Sequence, residues 1–444
     1  MQHTIGRRSF LAGSAALAAG LGASEMVVKP GAEAGASAEA GASADAAEGA
    51  GLGSALQPLV TSLVGGSSAI GGTGVFAPSD WGQTGGWTTA LAAAQSRPVK
   101  IVSFGDSISQ GFTSSSFTTN GYFGKLMLAL QSANGDGGSG ACSVVNTNGL
   151  FAGMAGNIVA SGSGGGAVGG FTAFPIGLNG YSLNPHVAGS GVTLTFTGIR
   201  GTTIQVVNYP SAYPGSMTVT VDGGAATTIN AQNGGSGVGM GVTNIATSSG
   251  SHTVVVAFTS GSAALADVRG LNTTGIVGYG MNHFGRSSGD VHTVTSLSSA
   301  LTIGRVSIEA FAPDLFIYEE GINDLTFDVL GISYAYNVAS AMDFARAGNP
   351  LCDVVIVVPH RGNTPDLTEL YPAYIRELRA VADSYGALLV DFWPIGKNSY
   401  PYWSNLGYFG DGTADGLSGN NAVHPGDAGH AYMESVLYPL LTAT

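Results

Sequence analysis

Four short stretches of the chain are apolar almost without interruption: "VKIVSF" (99–104), "DLFIY" (314–318), "DVVIVV" (353–358) and "ALLVDF" (387–392). A β-branched run with no polar alternation reads as a strand covered on both faces. Elsewhere apolar positions return every three or four residues, as at Phe123, Leu126, Met127 and Leu130, at Tyr371, Ile375, Leu378 and Ala382, and at Tyr432, Met433, Val436 and Leu437. That period predicts helices with one buried face. Continuous strands separated by amphipathic helices predict a parallel sheet between helical layers, an α/β fold of the three-layer α/β/α sandwich kind.

The middle of the chain changes period. Residues 188–270 hold the Thr- and Val-rich runs "VTLTFTGI", "TTIQVV", "SMTVTV", "ATTIN" and "SHTVVVAF", separated by Gly-containing turns such as "VDGGA". Alternation of this kind predicts half-buried antiparallel strands, and therefore an all-β sandwich insertion at 188–270. It divides the α/β domain into 56–187 and 271–444. Within the first part, residues 133–187 are Gly-rich and aperiodic and read only as a long connection.

The N-terminus carries a different message. Arg7 and Arg8 precede a short apolar run from Phe10 to Leu21, which resembles a twin-arginine export signal and is too short to span a bilayer comfortably. Residues 1–30 are read as that signal. The small-residue repeats of 31–55 cannot repay the entropy of ordering and read as a linker. Export would place the protein in the periplasm or outside the cell, with no stable membrane span in the mature chain. Cys142 and Cys352 would meet an oxidising compartment, either as one bridge or as two buried thiols.

Composition narrows the partners. The 28 acidic against 15 basic residues give a net charge of −13, which repels polyanions and argues against nucleic acid as a partner. The 71 glycines follow no triplet period and mark turns and loops. No zinc-type Cys/His array occurs, and the Gly-rich stretch 162–170 lacks the Lys-Ser/Thr ending of a phosphate loop. Neither a cofactor nor a metal is expected.

Candidate chemistry begins where the first strand stops, in "GDSIS" (105–109). Ligands of open α/β sheets bind beyond the carboxyl ends of the strands, and Ser107 sits at such an edge. Two further stretches occupy matching edges: "GIND" (321–324) directly after an apolar strand, and "HPGDAGH" (424–430) ahead of the last helix. In order and context these blocks resemble the GDSL, or SGNH, hydrolase superfamily over residues 97–132 and 272–442. The resemblance implies a serine esterase, with Ser107 as nucleophile and His424 as general base. It further implies an oxyanion hole built from the Ser107 N–H, the Asn323 side chain and a glycine N–H, for which Gly289 is the first choice and Gly285 the second.

One position departs from the family's pattern. An aspartate normally stands three residues before the catalytic histidine, and here that residue is Asn421. An amide can orient an imidazole but supplies no charge to the imidazolium. The expectation is a Ser107–His424 dyad assisted by Asn421, with Asp415 as an acid that could substitute. The resemblance points to short acyl groups on a small-molecule or polysaccharide ester substrate. Tyr209, Tyr213, Trp403 and Tyr408 could stack on sugar rings or serve as packing anchors. A non-catalytic glycan-binding scaffold and an O-acyltransferase are the alternatives; the oligomeric state is not legible.

Overall fold

Where a strand is covered on both faces, its apolar side chains must divide by parity between two cores. The computed structural model shows this division along the whole of its parallel sheet. It describes residues 74–78, 81, 86–116, 119–143, 158–161, 171–174, 182–185, 191, 193–209, 215–231, 241–261, 263–282, 308–309, 311–326, 331–360, 362, 367–410 and 423–443. The expected signal and linker, residues 1–30 and 31–55, lie outside them.

The chain enters through β1 (Val75–Phe76), α1 (Trp87–Ala92), β2 (Pro98–Gly105), α2 (Ser107–Gln110) and α3 (Tyr122–Asn134). An antiparallel region follows, with β3 (Gly140–Ser143), β4 (Ile158–Ser161), β5 (Phe171–Phe174), β6 (Ser182–Pro185), β7 (Thr193–Arg200) and β8 (Thr203–Tyr209). It continues through β9 (Gly215–Val221), β10 (Thr227–Ala231), β11 (Gly241–Ala246), β12 (Ser251–Ser260) and β13 (Ala264–Leu271). The α/β part resumes at β14 (Gly275–Asn282), β15 (Leu315–Glu319), α4 (Ile322–Thr326), α5 (Gly331–Gly348) and β16 (Asp353–Val358). It closes with α6 (Leu367–Tyr385), β17 (Leu388–Asp391), α7 (Phe392–Ile395), α8 (Tyr400–Asn405) and α9 (Asp427–Thr442).

The first sheet has the order β1-β17-β16-β15-β2-β14, parallel throughout except for the antiparallel edge strand β1. Val102, Phe104, Phe316, Tyr318, Val354 and Ile356 face α5 and α6, where Val338, Met342 and Leu378 meet them. Their neighbours of opposite parity, Ile101, Leu315, Ile317, Val355 and Val357, face Leu126 and Leu130 of α3 and Met433 and Leu437 of α9. Each such side chain contributes about 1.5–3 kcal/mol by leaving water. These are the three layers that the apolar runs predict.

The antiparallel region forms two sheets, β10-β9-β12-β7-β4 and β11-β8-β13-β6-β5, with β3 also paired to β13. Alternate residues of both sheets, among them Phe196, Val206, Met217, Val219, Val256 and Val268, share one core. The sandwich recruits more chain than 188–270. Strands β3 to β6, from residues 140–185, pair into it, so the stretch 133–187 is not merely a connection. Backbone pairing of β3 and β6 to β13, and of β4 to β7, places them, and β5 pairs in turn with β6; a Gly-rich sequence does not announce such pairing.

Cys352 is a free, buried thiol, so no bridge joins it to Cys142. Burial pushes its pKa up, away from the reactive thiolate. No helix among the described residues is long and apolar enough to cross a membrane.

Candidate active site

At the carboxyl edge of the parallel sheet, β2 ends in Gly105 because a larger residue has no room. A Cβ there would stand 2.2 Å from both the Glu319 carbonyl oxygen and Ser109 Oγ. Asp106 then caps α2, its Oδ1 accepting from the Ile108 N–H at 2.8 Å. Ser107 opens the helix, at the position whose own backbone N–H has no intrahelical partner. Gly111, at φ 84°, ends the helix in the left-handed region.

Ser107 Oγ lies 2.8 Å from His424 Nε2, a contact between residues 317 positions apart. The two side chains are 3% and 6% exposed. This is the distance at which Nε2 can take the hydroxyl proton as the oxygen attacks. Phe112 sets its ring edge against the imidazole, centroids 4.7 Å apart.

Asn323 arrives from the neighbouring strand. β15 ends at Glu319, the chain turns through Gly321 at φ 124°, and Asn323 falls in the first turn of α4. Its Nδ2 is 3.4 Å from Asp106 Oδ2, so the cap of the serine helix also holds this amide beside the serine turn. The sequence-expected Ser107, His424 and Asn323 thus belong to one edge of the sheet. Gly289, Gly285, Asn421 and Asp415 lie outside the described residues.

The chain around His424 is gripped by other segments. His360, just beyond β16, donates from Nε2 to the Val423 carbonyl at 2.8 Å. The Gly410 N–H donates to the His424 carbonyl at 3.0 Å, and the Gly426 N–H to the Tyr408 carbonyl at 2.9 Å. Asp427, at the start of α9, accepts from the Ser115 N–H at 2.8 Å and from its hydroxyl at 2.5 Å. His360, Gly410 and Ser115 stand in no motif of the sequence; only the fold brings them to this segment.

Burial dominates the electrostatics below the serine. Asp106 is pushed up to about 7 by desolvation, partly countered by the Ile108 N–H, while the nearby charge of Asp324 raises it further. Glu319, 2.5 Å from Ser109 Oγ, is held well above the usual carboxylate range by burial and by Asp106. His360 moves the other way: burial lowers it to about 3, so it is a neutral donor near pH 7.

Two other candidates resolve differently. Trp403 is 1% exposed, stacked on His360 at 4.5 Å and set edge-on to Tyr408 at 5.3 Å, which makes it a packing anchor rather than an open platform. Tyr408 is half-buried against Tyr432. The Tyr209 side chain and Tyr213 lie outside the described residues. Among the described residues no group of three or more His, Cys, Asp or Glu is placed to hold a metal ion.

A serine hydroxyl within hydrogen-bond distance of a histidine, at the start of a helix that follows a parallel strand of an α/β/α fold, is an arrangement suited to nucleophilic catalysis. Residues 260–432 match the family described as GDSL-like Lipase/Acylhydrolase. That match supports the GDSL/SGNH hydrolase superfamily for this part of the chain and, with it, the chemistry of a carboxylic-ester hydrolase. The fold is shared with a solved structure titled as a peptidoglycan O-acetylesterase, at 18% identity and TM-score 0.56, covering 81% of this chain and 96% of that one. A carbohydrate esterase family 2 enzyme with a carbohydrate binding domain, from Corynascus thermopiles (Myceliophthora fergusii), aligns at 13% identity and TM-score 0.27, over 65% of this chain and 99% of its own. No curated protein sequence matches this chain.

Proposed function

We propose that this protein is an exported serine esterase that removes short acyl groups, acetyl above all, from a carbohydrate. The observation that carries the reading is the 2.8 Å contact of Ser107 Oγ with His424 Nε2 at the carboxyl edge of the sheet. Ser107 attacks the ester carbonyl as His424 takes its proton. The oxyanion accepts from the Ser107 N–H, the Asn323 amide and the Gly289 N–H. Collapse expels the alcohol, protonated by His424; water then attacks the acyl-enzyme, with His424 again as base, and the acid is released. Asn421 is assigned to orient the imidazole, which gives a weaker triad than an aspartate would.

The acetyl-glycan assignment is supported by the fold shared with a peptidoglycan O-acetylesterase. Export is supported by the paired Arg7 and Arg8 ahead of a short apolar run, with 1–30 as signal and 31–55 as linker. The test is acetate release from O-acetylated peptidoglycan and acetylated xylan, beside p-nitrophenyl esters of increasing chain length. Acetate release from a glycan, with turnover falling as the acyl chain lengthens, supports the assignment. Turnover rising with chain length, and no acetate from either glycan, overturns it.

A further inference from the structure

Thr113 stands at φ 67°, in the left-handed region, where a β-branched residue is strained. It is buried, three residues beyond the end of the serine helix. Glycine would occupy this conformation without strain, so the cost has to be offset by what the threonine side chain does. Its Oγ1 donates to the Pro425 carbonyl at 2.8 Å, across 312 residues of sequence. The side chain also presses on Gly410: a Cβ at Gly410 would meet Thr113 Oγ1 at 2.6 Å and its Cβ at 2.7 Å.

With this bond, each of the carbonyls of Val423, His424 and Pro425 has its own donor: His360 Nε2, the Gly410 N–H and Thr113 Oγ1. The same turn reaches the serine, since the Phe112 N–H donates to the Ser107 carbonyl at 2.9 Å and the Phe112 ring lies against His424. One strained turn therefore joins the backbone of the serine to the backbone beside the histidine.

We propose that Thr113 is a positioning residue of the reaction, whose hydroxyl holds the His424 segment so that Nε2 meets Ser107 Oγ. The inference rests on the serine-esterase reading above. It acts through Pro425 and touches neither substrate nor the reacting atoms. Valine copies the shape and the strain but has no donor; serine keeps the donor and relaxes the branch; glycine relaxes the strain and has no donor.

The experiment compares the full chain with Thr113→Val, Thr113→Ser, Thr113→Gly and Ser107→Ala. It measures kcat and KM for p-nitrophenyl acetate, the rate of inactivation by a fluorophosphonate, and Tm. Thr113→Val is expected to lower kcat and the labelling rate about ten- to hundredfold, because a misplacement near 1 Å costs up to about that factor. KM should stay within about twofold, the signature of an interaction that acts on the transition state rather than on binding. Thr113→Ser should restore kcat to within about threefold of the parent. Wild-type kcat in Thr113→Val, or an equal loss in Thr113→Ser, overturns the proposal. If Thr113→Val does not fold, Thr113→Gly decides: kcat lost at unchanged Tm supports the hydroxyl's role, and full activity overturns it. A parent chain with no Ser107-dependent turnover overturns the esterase reading itself, and the inference with it.

Discussion

Acid should weaken this fold through two histidines that it buries in neutral form. His360 is lowered from its ordinary 6.5 to about 3 by burial, with His424 and His430 adding repulsion. His430 is lowered to about 4, again chiefly by burial. Between these values and 6.5 the unfolded chain binds a proton at each site and the folded chain does not, so stability falls as pH falls through 6.5. At about pH 5 the unfolded state has gained roughly 1.5 pH units of binding per site, or about 2 kcal/mol each. That figure hardly depends on the folded values once they lie below 5. Asp106 and Glu319 oppose it, since burial raises both and each favours the folded state on acidification. The diagnostic quantity is therefore a difference. Urea unfolding, followed by tryptophan fluorescence at about pH 7.5 and pH 5, would compare the parent with His360→Gln and His430→Gln. The parent's stability relative to either variant should drop by about 2 kcal/mol between the two pH values. A difference that stays constant, or grows in acid, would refute the assignment of these rings as neutral buried donors.

Asn323→Ala removes one oxyanion donor and should lower kcat for p-nitrophenyl acetate about 10²–10³-fold; an unchanged kcat would remove Asn323 from the oxyanion hole. In the sandwich, both nitrogens of His252 face acceptors: Nδ1 meets Asp222 at 2.7 Å, and Nε2 meets the Gly201 and Ser248 carbonyls at 3.0 Å each. The folded pKa is raised, first by the Asp222 hydrogen bond, so the stability this site contributes is fully present below 6.5 and is lost as pH rises through the folded value. An NMR titration of the His252 ring should show a midpoint above 6.5 that falls in Asp222→Asn; a parent midpoint at or below 6.5 contradicts the contact.

The parallel strands were legible because each is a continuous apolar run, and the α/β/α order followed from what lies between them. Helix α5 offered less: Tyr334, Ala335, Val338, Ala341, Met342 and Ala345 are all buried, and alanine marks its face only weakly against the rest. Strands β3 to β6 were illegible for another reason. They are four residues each in Gly-rich chain; β3 and β6 pair with the distant β13 and β4 with the distant β7, while β5 is placed by β6 alongside it. At the site, Ser107, Asn323 and His424 stood in the three motifs that carry the family resemblance, which implied their roles. Thr113 and His360 did not, because a hydroxyl or ring that serves a carbonyl 312 or 63 residues away has no local signature.

An esterase of this design depends first on Ser107 as an activated nucleophile. The decisive measurement is hydrolysis of p-nitrophenyl acetate by the protein and by Ser107→Ala, with mass spectrometry of both after fluorophosphonate treatment. The expected result is turnover that Ser107→Ala abolishes, and one phosphonyl group per chain located on Ser107. Undiminished turnover in Ser107→Ala, or a parent chain that neither turns over nor labels, would contradict it.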